Sequence, residues 1–191
     1  MAANQKAVTA FVESKSGGGL IKRGRPAPAR ALLRLAVVAI GISLSLLPGE
    51  VHAASNKVRI TDLTDVAFGS LANLSSDAVR SQSVCLYADT NTNGYTITAT
   101  GTGPSGTFEL TSGLAAMAYE VQWSSSAGQS SGAQLTPNLP LTGQVSLASH
   151  QTCNNGPAAS ASLVVLLRSS ALSSARAGTY NGTLTLIVGP E

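Results

Sequence analysis

The chain has 191 residues, 11% of them charged, and a formal net charge of +3 at neutral pH. Residues 1–53 hold seven lysines and arginines against two acidic residues, a balance of +5, which leaves −2 for residues 54–191. The basic excess therefore belongs to the N-terminal region, and the rest of the chain lacks the positive charge on which nucleic-acid binding depends. We expect no nucleic-acid partner.

The N-terminal region has the organisation of a secretory signal. Cations through Arg34 precede an apolar run at residues 35–47, and Val51 and Ala53 follow with the small residues that a signal peptidase requires. The run is shorter than the roughly 20 residues that span a bilayer. We predict that residues 1–53 are a signal peptide with a long basic n-region, cleaved after Ala53. The mature chain would then enter the periplasm with no membrane attachment.

Residues 54–191 form a series of short strand-like runs separated by Gly, Ser, Asn and Pro. In chain order we predict strands at residues 58–63, 66–68, 79–87, 95–100, 107–110, 116–123, 139–147, 161–168 and 183–188. Residues 163–167 are continuously apolar, which suits a strand buried on both faces. Residues 124–132 are predicted to be a flexible loop, and Trp123 is predicted to face the core. Apolar residues do not recur at helical spacing over three turns, so the sequence predicts one all-β domain, an antiparallel β-sandwich.

Cys85 and Cys153 are the two cysteines of the chain. An even number of cysteines in an exported protein most often forms disulfides, so we predict a Cys85–Cys153 bond. A zinc site would need four ligands, and His150 is the one histidine after residue 53. We therefore expect no metal and no cofactor.

Residues 54–191 contain no arrangement typical of catalysis. Ser130 matches the Gly-x-Ser-x-Gly pattern at residues 128–132, but no helical pattern follows it as in a nucleophile elbow, and the acidic residues are scattered along the sequence. His150 precedes the turn-forming residues 154–157, which is typical of a solvated residue beside a turn. We expect a protein that is not an enzyme.

The last segment of the chain has a clear strand pattern. Residues 183, 185 and 187 alternate with Leu184, Leu186 and Val188, which predicts a strand with one face in the core. Residues 189–191 are too few to fold back as a further strand. Because an open sheet edge pairs readily with another chain, we predict a groove here that an incoming strand fills.

A known family shares this order of short motifs. Phe68-Gly69, Cys85, a tyrosine-centred strand at residues 94–98, and residues 177–180 leading into 183–186 resemble the subunits of chaperone-usher pili. The likeness is greatest to the archaic branch, which includes the spore coat protein U domain. Gly178 holds the position, fourteenth from the C-terminus, of a glycine in the classical branch, whereas Pro190 replaces the classical aromatic residue.

The resemblance implies a fold, a site and partners. The fold would be an immunoglobulin-like sandwich without its final strand, and the groove would be bordered by Tyr180, Leu184, Leu186 and Val188. A periplasmic pilus chaperone, and later a neighbouring pilus subunit or the usher, would supply the missing strand by β-strand addition.

The role of residues 54–63 has two interpretations. Val58 and Ile60 share a face, as a donor strand for a neighbouring subunit requires, but Leu63 falls out of phase. The same segment is equally consistent with the first strand of the domain itself.

Two functions follow from these interpretations. The first is an exported structural subunit or accessory protein of a surface pilus, which reaches the cell surface as part of a fimbrium and is assembled by chaperone-assisted donor-strand complementation. The second is a free-standing secreted β-sandwich, a coat protein or a module that binds carbohydrate or another surface, closed by its own residues 54–68.

Overall fold

The structure is a computed structural model that describes residues 2–4, 8–12 and 56–191. Its strands are β1 (Ala2–Asn4), β2 (Val8–Val12), β3 (Lys57–Thr61), β4 (Ala67–Ser70), β5 (Ala78–Asp89), β6 (Gly94–Thr100), β7 (Glu109–Ser112), β8 (Ala115–Ala118), β9 (Glu120–Ser124), β10 (Ala133–Gln134), β11 (Leu141–Val145), β12 (Ala161–Leu167), β13 (Thr179–Tyr180) and β14 (Leu184–Pro190). One α-helix, α1 (Ser169–Ser174), follows β12.

Two main sheets enclose the core. The five-stranded sheet has the order β10-β9-β12-β5-β3, and the four-stranded sheet has the order β11-β6-β14-β2. Buried side chains of both sheets form one hydrophobic cluster. A hairpin of β7 and β8, and a small sheet of order β13-β1-β4, complete the strands. The predicted all-β antiparallel sandwich is confirmed.

Strand β12 is the centre of the five-stranded sheet. It pairs antiparallel with β5 on one side and with β9 on the other, and all seven of its residues are buried. Leu163, Val165 and Leu167 belong to the main core. Val164 and Leu166 are buried on the opposite face. The prediction of a strand buried on both faces is confirmed.

Trp123 joins the two sheets inside the core. Its side chain is buried, and its Nε1–H group donates a hydrogen bond of 2.9 Å to Oη of Tyr95. The two rings meet edge to face, with 6.5 Å between their centroids. Burial raises the pKa of Tyr95 to about 12, so this hydroxyl is protonated at neutral pH. The predicted core position of Trp123 is confirmed, and β9 and β6 are linked by a polar contact as well as by packing.

The structure divides the predicted strand 116–123 into two. Residues 115–118 pair with β7, whereas residues 120–124 join the five-stranded sheet. The change of sheet occurs at Tyr119, whose backbone N–H donates to the carbonyl of Phe108 at 3.0 Å. The alternation of buried residues continues through the break, at Met117, Tyr119, Val121 and Trp123. The side-chain pattern therefore could not reveal it.

The predicted flexible loop at residues 124–132 is instead fastened to the five-stranded sheet. The backbone N–H of Gly128 donates to Oγ of Ser83 at 2.9 Å, and that of Gln129 donates to Oγ of Ser162 at 3.0 Å. Ser162 in turn donates to the carbonyl of Ser126. Because Ser162 is itself fully buried, this loop covers part of the outer face of the central strand.

Two buried tyrosines allow a matched test of the Trp123 contact. Tyr95→Phe should lower the free energy of unfolding by roughly 1–3 kcal/mol, because it leaves the buried Nε1–H of Trp123 without its acceptor. Tyr119→Phe is the control, since the Tyr119 hydroxyl is buried and finds no partner among the described residues, and the ring still stacks on Phe108. Removing that hydroxyl should be neutral or stabilising. Urea denaturation of both variants measures the difference, and equal losses would contradict this account.

Candidate functional site

The candidate site lies along β14, as the alternating pattern predicts. Leu184, Leu186 and Val188 are buried in the core, whereas Ile187 points outward and is 44% exposed. On one side β14 pairs antiparallel with β6, from Thr185 opposite Thr100 to Pro190 opposite Tyr95. This pairing satisfies the backbone N–H and C=O groups on one side of β14. The groups on the other side are available to a second neighbour.

That second edge is filled by the N-terminal part of the chain. Strand β2 runs parallel to β14, with Val8 opposite Leu184 and Val12 opposite Val188. Strand β1 runs parallel to β13, with Ala3 opposite Tyr180. On its other side β1 pairs antiparallel with β4. Residues 179–180 and 184–188 thus have strand neighbours that precede residue 13.

Tyr180, the fourth predicted groove residue, lies in β13 just before β14. Its ring is buried, and its hydroxyl donates a hydrogen bond of 3.1 Å to the carbonyl of Arg176. Tyr180 thus belongs to the small sheet of β13, β1 and β4, whereas Leu184, Leu186 and Val188 belong to the four-stranded sheet, and all four side chains are part of the main core. That a strand from another chain binds them stays a prediction.

Val58 and Ile60 lie in β3, an edge strand of the five-stranded sheet. β3 pairs antiparallel with β5, and both side chains are buried in the main core. The strand ends before Asp62, which has a φ of 66°, and Leu63 packs against the core from the irregular segment that follows. In this structure residues 57–61 are a strand of the domain itself. A donor role would require Val58 and Ile60 to leave that core.

The Cys85–Cys153 disulfide is confirmed. The two Cα atoms are 5.8 Å apart, and the bond joins residues separated by 68 positions. Both cysteines are buried and form a small cluster with Ala148, against which Tyr87 packs. The bond fastens the segment around residues 146–157 to β5. His150 lies in this segment, with Nδ1 at 3.2 Å from Oγ1 of Thr152.

Two of the scattered acidic residues meet at one arginine. Arg168 donates two hydrogen bonds to Glu120, at 2.7 and 2.8 Å, and one to Asp77 at 3.0 Å. Asp77 also accepts the backbone N–H of Ser169 at 2.7 Å. This arrangement connects the end of β12 to the beginnings of β5 and β9. Sequence spacing could not predict it, because the three residues are distant in the chain.

The ion cluster holds both carboxylates in the charged form. The backbone hydrogen bond from Ser169, followed by the one from Arg168, lowers the pKa of Asp77. The hydrogen bond from Arg168 lowers the pKa of Glu120, and the same contacts raise the pKa of Arg168. A carboxylate with a lowered pKa is a poor proton donor at neutral pH, so the cluster acts as a clamp between elements.

Open cavities are found among the described residues, and two of them lie near elements discussed above. One, of about 420 Å³, lies between residues 114–116 and 174–176 and includes Tyr180, so it adjoins one end of the candidate site. The other, of about 280 Å³, is lined by residues 64–67 and 80–82. Within the same residues, no three or more His, Cys, Asp or Glu side chains are grouped to hold a metal ion. The described part of the chain also has no helix long and apolar enough to cross a membrane.

No protein-family model matches the chain, and no curated protein matches it. The site therefore has to be interpreted from its own geometry.

Removal of the disulfide should strongly destabilise the domain. We expect Cys85→Ser/Cys153→Ser to lower the free energy of unfolding by about 2–5 kcal/mol, because the bond closes a long loop in the unfolded chain. Denaturant unfolding measures the loss. Reduction of the unfolded wild-type chain should raise its intact mass by about 2 Da, the two hydrogens that thiol formation adds. An unchanged mass would contradict the bond.

The ion cluster should make stability depend on acidic pH. Since Asp77 and Glu120 have lowered pKa values in the folded chain, the unfolded chain binds protons more readily. The two carboxylates contribute to the free energy of unfolding at pH values above their ordinary pKa values of 3.8 and 4.5. This contribution is lost as the pH falls through the lowered pKa values of the folded chain. Urea denaturation between pH 2 and pH 7 should show this loss. Arg168→Gln should reduce the dependence of the free energy of unfolding on pH. Arg59→Gln, on the exposed face of β3, should leave that dependence unchanged.

Proposed function

We propose that residues 54–191 form an exported structural subunit or accessory protein of a surface pilus of the chaperone-usher type. In this proposal the domain is an immunoglobulin-like sandwich that depends on a strand from another chain. A periplasmic chaperone supplies that strand first, and a neighbouring subunit or the usher supplies it afterwards. The motif order of the archaic branch and the spore coat protein U domain supports this assignment.

The identity of the segment that fills the edge of β14 carries the proposal. Within residues 56–191, β14 pairs with β6 alone. Its second neighbour, β2, belongs to the region that has the organisation of a signal peptide. If the leader is removed after Ala53, that neighbour is removed with it. The mature domain then needs a replacement strand along residues 179–188.

A peptide strand fits this edge better than a small molecule does. The edge presents a row of backbone N–H and C=O groups, and an added strand is the ligand that satisfies all of them. Beside the row lie the side chains of Leu184, Leu186 and Val188, which are fully buried when the edge is filled. Burial of one such side chain contributes about 1.5–3 kcal/mol to the free energy of folding. An unfilled edge would expose these side chains to water, and the domain would lose a large part of that contribution.

Export of the full precursor tests the proposal. We expect the mature protein to be recovered from the periplasm in good yield when a pilus chaperone is co-expressed, as a one-to-one complex. Without the chaperone it should aggregate or be degraded. Size-exclusion chromatography and native mass spectrometry measure the stoichiometry, and intact mass gives the mature N-terminus.

Two neighbouring residues of β14 provide matched variants. Leu186→Ala should reduce the recovery of the complex, because Leu186 faces the core beside the incoming strand. Ile187→Ala should leave it unchanged, since this side chain points outward. A soluble mature monomer that unfolds cooperatively without a chaperone would contradict the missing strand and support the free-standing secreted module.

A further inference from the structure

Strand β11 lies at one end of the four-stranded sheet, on the side of β6 opposite to β14. It pairs antiparallel with β6, with Leu141 opposite Ile97 and Val145 opposite Gly94. Within the residues that the structure describes, no strand lies on its other side. The outer edge of β11 is therefore a second sheet edge, separate from the candidate site along β14.

The backbone groups of residues 145 and 147 point away from the domain. The N–H of Ser146 donates to the carbonyl of Asn93 at 2.9 Å, so the groups of residue 146 point towards β6. Along an extended chain, successive residues direct these groups to opposite sides. The side chains alternate as well, since Val145 and Leu147 are 47% and 67% exposed whereas Ser146 and Ala148 are buried. The N–H and C=O groups of Val145 and Leu147 are thus offered to a neighbour.

The first half of β11 is closed to such a neighbour. Its register with β6 shifts between Leu141 and Gln144, and Gly143 has a φ of 69°. The N–H of Gly143 donates to the side-chain carboxylate of Glu191 at 2.7 Å. An irregularity of this kind turns an edge away from further pairing. The open part of the edge is therefore short and begins at Val145.

Charged side chains do not protect the open part of this edge. From residue 121 to residue 167 the sequence contains no Asp, Glu, Lys or Arg. Natural proteins commonly place such charges, above all lysine, on exposed edge strands to prevent pairing. A charged partner strand would find no opposite charge along β11. An uncharged edge with two exposed apolar side chains suits a partner strand of the same character.

A second copy of the chain supplies such a strand. Two copies of residues 145–147 can run antiparallel with Ser146 on the two-fold axis, so that Val145 of one copy lies opposite Leu147 of the other. Each such pair then exchanges both of its N–H···O=C bonds. Apolar side chains lie directly opposite each other on the outer face of the sheet, and no like charges meet. Because both copies use the same edge, the contact closes as a dimer.

We infer that residues 145–147 form a homodimer contact, in which the edges of two copies join their four-stranded sheets into one continuous sheet. The inference goes beyond the proposed function and does not depend on it. β11 and β14 lie on opposite sides of β6, so a strand bound along β14 leaves the edge of β11 free. A domain in complex with a chaperone can therefore also dimerise.

Export of the full precursor provides the mature protein for the test, purified with its chaperone, or alone if it is soluble alone. Sedimentation velocity and native mass spectrometry over a range of protein concentrations should show a dimer of the domain, which in the presence of the chaperone is a two-to-two complex.

Val145→Lys/Leu147→Lys places like charges opposite each other in the dimer. We expect this variant to raise the dissociation constant of the dimer by about tenfold or more. Val79→Lys/Leu114→Lys is the matched control, because it adds the same charge at two other exposed apolar residues. The control should leave the dissociation constant unchanged.

Cysteine cross-linking tests the register, and it remains informative if the lysine variant does not fold. Val145→Cys and Leu147→Cys are purified separately, mixed and incubated with oxidised glutathione. In the inferred register these two residues are directly opposite, with Cα atoms about 5.5 Å apart, which is within the range of a disulfide. Identical residues lie on the diagonal, about 7–8 Å apart. The mixture should therefore give a cross-linked dimer, and each variant alone should give far less.

Absence of a wild-type dimer at every concentration would overturn the inference, as would a lysine variant that dimerises like the control. Equal cross-linking in the mixture and in the separate variants would overturn it as well. Each of these results leaves the proposed function standing if the mature protein still forms its one-to-one complex with the chaperone. A dimer formed by a mature protein that needs no chaperone would support the inference and refute the proposed function alone.

Discussion

The structure depends on one constraint, the need of β14 for a neighbour on each side. This strand supplies Leu184, Leu186 and Val188 to the core, so its position decides whether one sheet of the sandwich is closed. Its pairing with β6 satisfies one row of backbone groups. The other row lies beside the same buried side chains, where unpaired polar groups and exposed apolar surface would both be costly. A strand that fills this edge therefore stabilises the domain in two ways, through backbone hydrogen bonds and through packing against the buried side chains.

The other half of the sandwich is held by contacts within residues 56–191. The fully buried strand β12 lies at the centre of its sheet, the Cys85–Cys153 bond fastens a long segment to β5, and Arg168 connects three elements through two carboxylates. The hydrogen bond from Trp123 to Tyr95 then ties this half to β6. The result is an asymmetric domain. The five-stranded sheet is stabilised by contacts within residues 56–191, whereas the four-stranded sheet also has a strand, β2, from outside that range.

This asymmetry gives the proposed function its physical basis. The ion cluster around Arg168 keeps its two carboxylates charged and engaged in contacts between elements. In the proposed function, the edge of β14 is the part of the domain that binds a partner strand. The incoming strand would need apolar residues at alternate positions, and peptides from many different proteins have this pattern. Which strand binds the edge then depends on the effective concentration of each competing strand.

Local patterns in the sequence were sufficient wherever one periodicity or one chemical pairing decides the outcome. The alternation at residues 183–188, the apolar run at 163–167, the burial of Trp123 and the cysteine pair all follow from short-range rules, and the structure has each of them. The same rules could not detect the change of sheet at Tyr119, because buried residues alternate without interruption through it. Nor could they find the loop at 124–132 fastened by serine hydroxyls, or the meeting of Asp77 and Glu120 at Arg168.

The sequence by itself determined that the chain folds as strands and that its last strand has one apolar face; that this face borders a groove for an incoming strand stays a prediction. It left open whether residues 57–61 serve the domain or a partner. Only the tertiary structure decided that they pair with β5 and bury Val58 and Ile60, and that residues 8–12 lie beside β14. The physical reason is that alternation sets which face of a strand is buried, whereas the choice of neighbour depends on which backbone edges the whole fold brings together.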